Sequence, residues 1–154
     1  MSEPTPRPPA RPGPPSRRDY PFFRSIPTRW SDNDQYGHVN NVVYYAFFDT
    51  LISLFLIGEA GLDPDRGPVI GVCAESGCRY HAAIAHPATI DAGLRVARLG
   101  TSSVTYEIGI FAESSDTAAA SGHFVHVFVD RKTMRPVPIP EEIRRIMTAI
   151  LVET

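Results

Sequence analysis

The stretch from Asp32 to Asn41 gathers carboxylates, an imidazole, amides and a turn-forming glycine: Asp32, Asn33, Asp34, Gln35, Tyr36, Gly37, His38, Val39, Asn40, Asn41. An aromatic run ending at Trp30 precedes it, and a long apolar run starting at Val42 follows. Such a junction is where a fold sets a carboxylate beside a helix N-terminus. A charge there has one of two jobs. It caps the unpaired N–H groups of the first turn, or it does chemistry beside them, because the positive helix end favours negative charge. Asp34 is open to both readings.

Elsewhere the chemistry-bearing residues are scattered. The chain has no Gly-x-Ser-x-Gly elbow and no phosphate-cradling glycine loop. His123 and His126 are three apart in a strand-like run, so they face opposite sides. His81 and His86 share that odd spacing, and no metal site is expected. Cys73 and Cys78 lie five apart in one strand-like run. At ~3.3 Å per residue their Cα atoms stand roughly 16 Å apart, beyond the ~7 Å limit of a disulfide, so both are expected to be free thiols in a reducing cytosol.

The elements that must position these groups follow from periodicity. Phe22 to Trp30 reads as a first strand whose Pro27 suggests an edge or bulge. Asn41 to Ala60 reads as a helix near 30 Å long at ~1.5 Å per residue, stopped by Gly61. It is apolar around nearly its whole circumference, which predicts enclosure on most sides. Asp49, set in that apolar surface, predicts a buried carboxylate with a partner. Pro68 to Tyr80, Ala88 to Leu99, Ser103 to Glu113 and Thr117 to Asp130 read as strands between Gly- and Ser-containing turns. Glu141 to Leu151 reads as an amphipathic C-terminal helix with acidic residues at its start. Strand, long helix, four strands and short helix make an α+β arrangement, an antiparallel sheet curled around one helix.

Composition bounds the rest. The 154 residues, 43% hydrophobic, suit one domain. A net charge of -2 argues against a nucleic-acid partner. The most apolar run, Val42 to Ile57, is interrupted by Asp49, Thr50 and Ser53 and is shorter than the ~20 residues of a membrane span. With no apolar signal-peptide core near the start, the expected location is cytoplasmic. Residues 1–18 hold seven prolines and almost no large apolar side chain, so they are expected to form a disordered arm, leaving 19–154 as the folded domain.

Asp32 to Asn41, followed by Tyr44 and then by Phe47, Phe48 and Asp49, resembles the signature of the hotdog-fold acyl thioesterases, in their 4-hydroxybenzoyl-CoA thioesterase-like branch. The similarity runs from about Tyr20 to Thr154, because the turn Leu99 to Ser103 and the ending from Val129 through Pro140 are also typical. His38 to Asn41 is similar to plant acyl-ACP thioesterases as well. The resemblance implies a hotdog sheet of about five strands around the central helix. It also implies a homodimer or dimer of dimers with one continuous sheet per pair, and active sites at the subunit interface. The implied activity is hydrolysis of an acyl-CoA, or of an acyl-pantetheine on a carrier protein, to a free acid and a thiol. No cofactor is implied, since coenzyme A belongs to the substrate.

In that scheme Asp34 is the catalytic carboxylate, acting as general base on water or as nucleophile, and backbone N–H groups near Asn41 polarise the thioester carbonyl. His38 orients Asp34 or the acyl group, or is only hydrogen-bonded locally. Asp32 is structural and Asn40 caps the helix. Tyr36, Gly37, Asn40 and Tyr44 fall in the substrate region, with Tyr36 and Tyr44 open between pocket and core. Ser102 and Ser103 occupy the turn that meets the CoA phosphates; relatives carry Arg or Lys there, and here only Arg98 is near to compensate. The chemistry is consistent: a thiol of pKa near ~8.5 leaves without strong acid help, so a carboxylate and a helix start supply what remains. Two other readings compete. A hotdog hydratase or dehydratase spaces its Asp and His five apart, against four for Asp34 and His38, and a non-catalytic acyl-binding protein keeps the fold alone.

Overall fold

The structure, a computed structural model, describes residues 12–152. Alternation makes the strands. In β4 (Ser103–Ala112), Val104, Tyr106, Ile108 and Ile110 are buried on one face, while Thr105 and Glu107 on the other are half-buried. Its neighbours are β3 (Thr89–Leu99) and β5 (Ala120–Asp130), with β1 (Phe22–Pro27) and β2 (Val69–Tyr80) at the edges. The order is β1-β3-β4-β5-β2, and every pairing is antiparallel. Edge strand β1 ends at Pro27, three residues earlier than Trp30; Thr28 still donates to the Ala88 carbonyl at 2.8 Å, and Trp30–Asp32 then turn as a short 3-10 helix.

Helix α1 (Val43–Leu54) lies across the inner face and continues as a wide π turn over Phe55–Glu59. It crosses the sheet diagonally: Tyr44 meets Tyr80 at the end of β2, and Phe55 meets Phe22 of β1 with ring centroids 5.2 Å apart. The helix starts two residues later than the Asn41 expected for it, since Asn40 accepts the Val42 and Val43 N–H groups in a turn. Enclosure is also incomplete. Phe48, Leu51 and Ile52 are fully buried, yet Val42, Leu54 and Ile57 lie along an exposed stripe. Asp49 shares that stripe and is exposed, so it needs no buried partner. This correction follows from the sheet covering one side of the helix only.

Helix α2 (Glu141–Ala149) buries Ile143 and Met147. Its Arg144 donates to the carbonyls of Gly100 at 2.6 Å and Thr101 at 3.0 Å, tying it to the β3–β4 turn. The residues form the hotdog fold. Residues 1–11 of the arm expected over 1–18 fall outside the described part. Pro15 to Arg18 are bound to the outer face: Ser16 bridges to Thr117, and Arg17 pairs with Asp91 at 2.8 Å while donating to Ser115 O and Ala112 O. Arginine supplies fixed donors where the segment has no apolar anchor.

Candidate active site at the start of the central helix

Between β1 and α1 the polar stretch folds into a small hairpin of its own. Asn33 bridges to Val39, the Asp34 N–H donates to the His38 carbonyl at 2.9 Å, and the Asn40 N–H donates to the Asp32 carbonyl at 2.8 Å. Gly37 takes φ +80, a conformation that costs a side chain dearly and glycine nothing. The tip projects outward, and Tyr36 there is 87% exposed. The hairpin is fixed to the body by Val39 N–H on the Ile84 carbonyl at 2.7 Å and by the Asn33 side chain, which bonds both backbone groups of His86.

Asp32 and Asp34 part company here. Asp32 is 1% exposed, takes the Arg29 N–H at 2.7 Å and meets the Arg29 guanidinium through Oδ1. It is wholly committed to the turn. Asp34 is half-buried; its Oδ1 accepts the Tyr36 N–H at 2.8 Å, and its Oδ2 has no donor among the described residues. His38 stands opposite Asp34 across the hairpin, exposed, with no hydrogen bond between the two side chains.

Asn40 and Asn41 prepare the helix start. Asn40 Oδ1 accepts the Val42 N–H at 3.2 Å and its carbonyl accepts the Val43 N–H at 2.9 Å. The Asn41 N–H has no acceptor among the described residues. Tyr44 is buried, packed edge-on against Tyr80 and Phe47, with centroids 5.2 and 5.9 Å away. Burial raises its phenol above the ordinary range. Sequence reasoning missed Tyr80, whose hydroxyl donates to the Asn41 carbonyl at 2.8 Å from 39 residues away; no local pattern signals so distant a partner.

Not all candidates converge. The hairpin adjoins His86, just before β3, whereas Arg98, Ser102 and Ser103 lie at the far end of β3 and the start of β4. An 11-residue strand separates them, roughly 33 Å at ~3.3 Å per residue. Arg98 is exposed, Ser102 and Ser103 are half-buried, and the Ser102 carbonyl is taken by the Phe128 N–H at 2.8 Å. Among the described residues no group of three His, Cys, Asp or Glu side chains is placed to hold a metal ion. His123 is on the outer face near Glu75, while His126 is buried on the inner one, and both cysteines are free.

Residues 28–147, which contain the hairpin, the helix and all but the first strand of the sheet, match the family model of the thioesterase-like superfamily. The chain belongs to that superfamily. It is thereby a thioester hydrolase by class. This thioesterase is 53% identical to the PA5185 protein from Pseudomonas aeruginosa strain PAO1, over 90% of its own chain and 97% of that one, with a TM-score of 0.89. It is 31% identical to the PA2801 protein, a thioesterase candidate of Pseudomonas aeruginosa, over 80% and 95% of the two chains, with a TM-score of 0.76. A Thermus thermophilus protein at 24% identity, TT1821, shares the fold over 83% and 98% of the two chains with a TM-score of 0.73. No curated protein matches the thioesterase. No described helix is long and apolar enough to cross a membrane.

Proposed function

We propose that the protein is a cytoplasmic acyl-CoA thioesterase using Asp34 as its catalytic carboxylate and the Asn41 N–H as its oxyanion donor. The observation that carries this reading is a carboxylate oxygen and a backbone N–H on one fixed segment, Asp34 Oδ2 without a donor and the Asn41 N–H without an acceptor among the described residues. In the general-base route, Oδ2 takes a proton from water as the oxygen adds to the thioester carbonyl. The tetrahedral oxyanion is received by the N–H, the C–S bond breaks, and the CoA thiol leaves with a proton. In the nucleophilic route, Oδ2 attacks, a mixed anhydride forms as the thiol leaves, and water then opens the anhydride. His38, opposite Asp34, orients it or meets the acyl group. Tyr36, Gly37, Asn40 and Tyr44 border the same place.

The distance between this hairpin and Arg98, Ser102 and Ser103 favours a homodimer. Edge strand β2 ends beside the helix start and begins, next to Asp130, at the end of the sheet that carries those residues. Antiparallel pairing of two β2 edges brings the Asp34 hairpin of one subunit toward the phosphate-contacting turn of the other, completing a CoA site from both.

Thiol release from acetyl-, hexanoyl-, palmitoyl- and benzoyl-CoA, measured beside Asp34→Ala, tests the reading. The expected outcome is turnover of at least one thioester and a loss of several powers of ten in the variant, above about 4 kcal/mol of barrier. An Asp34→Ala enzyme as fast as the parent would sink the assignment. Single turnover in 18O-water tests the nucleophilic route in the form where water opens the anhydride at Asp34 Cγ, since that step puts label into the Asp34 carboxylate and none into the released acid.

A further inference from the structure

Three hydrogen bonds hold the turn before α1. The Asn40 carbonyl takes the Val43 N–H, Asn40 Oδ1 takes the Val42 N–H, and the Asn41 carbonyl takes the Tyr80 hydroxyl at 2.8 Å. The peptide between Asn41 and Val42 is therefore gripped from both sides, by Asn40 through its N–H and by Tyr80 through its oxygen. In the preceding peptide, the Asn41 N–H has no acceptor among the described residues.

Tyr80 is an unusual source for that second grip. It is the last residue of the edge strand β2, 39 residues from Asn41, and its ring leans edge-on against Tyr44 from the first turn of α1. The ring is 46% exposed, so packing alone does not account for a tyrosine there. A phenylalanine would fill the same edge-on contact; only the hydroxyl reaches the Asn41 carbonyl. A donor aimed at developing negative charge works best when its peptide cannot rotate.

The geometry points to Tyr80 as a positioning residue for thioester hydrolysis: the Asn41 N–H lies in the Asn40–Asn41 peptide, whose carbonyl takes the Val43 N–H, and the Tyr80 hydroxyl fixes the next peptide, so Asn41 is clamped from both sides with its N–H on the thioester oxygen. This inference rests on the proposed oxyanion role of Asn41. Tyr80 itself transfers no proton and contacts no reacting atom.

The test is Tyr80→Phe, measured with whichever of the four acyl-CoA substrates the parent enzyme turns over fastest. The expected result is a fall in kcat of about 10- to 100-fold with KM within about twofold and an unchanged melting temperature. A structural role would not give that split. The second readout is infrared: a carbonyl-13C thioester bound to Asp34→Ala should show its C=O stretch shifted down by the donor, and adding Tyr80→Phe should shrink that shift. Asn40→Ala, which removes the other grip, should shrink it too. If Asp34→Ala is inactive while Tyr80→Phe matches the parent in kcat and in the infrared, this inference alone falls. A rise in KM without a change in kcat also overturns it. Activity surviving in Asp34→Ala instead removes the reading beneath it.

Discussion

Among the described residues, burial leaves two polar atoms of the inner face without partners, and one of them titrates. Tyr106 Oη and His126 Nδ1 make no hydrogen bond, and their rings sit edge-on with centroids 5.4 Å apart. Burial pulls the His126 pKa from 6.5 down to about 4, outweighing the opposing pull of the Asp49 carboxylate. An unfolded chain takes up this proton near 6.5 and the folded one only near 4. The unfolded state therefore binds more protons in that window, and stability falls as pH drops through it, by up to about 3 kcal/mol in total. His126→Phe should flatten this part of the unfolding profile and be neutral or stabilising at neutral pH, where it removes an unpaired atom. Urea midpoints across the window check it; a variant as acid-sensitive as the parent would contradict the cause given. Residue identities foretell such effects unevenly. Asp32, Asp34 and Asn40 are legible because their partners lie within a few positions, so type and spacing encode the turn they hold. Tyr80 and His126 are not, since what makes them matter is a neighbour from another strand or helix.

At the scale of elements, the five strands and the C-terminal helix follow from alternation and from turn residues, and their ends agree with the sequence within a few positions. The central helix is where local reading slips. Its apolar run begins before the helix does, because Asn40 competes for the first N–H groups. Its last turn widens into a π turn that composition does not mark. How closely the helix sits on the sheet depends on Gly122: a Cβ there would fall on the Phe48 ring and on the Gly77 carbonyl. Gly122→Ala should therefore lift α1 from β5, lowering stability by about 1–3 kcal/mol. Because Phe48 lies within two turns of the helix start, kcat should drop as well. Urea denaturation with thiol release measured on the same preparation tests both; an unchanged midpoint would show that the ring moves aside freely.

For the whole molecule, the open edge of β2 is the surface to perturb. Its register against β5 shifts between Cys73 and Glu75, which leaves Ala74 out of that ladder. A proline at Ala74 removes an outward donor while sparing the inner pairing. Ala74→Pro should shift the protein toward a monomer in light scattering. Activity should fall with the proposed dimer, since the Asp34 hairpin and the turn proposed to contact the CoA phosphates would no longer meet. A variant that stays dimeric and active would place the subunit contact elsewhere. The arm fastened by Arg17 matters in a different way. It anchors the early chain on the outer face of the sheet, opposite the face that packs on the central helix. Pro12 and Gly13 line one pocket with Gly77, Cys78, Arg79 and His81, the neighbours of Tyr80, so an affinity tag, a fluorescent reporter or a solid support coupled at residue 12 starts beside the strand end that meets the helix start.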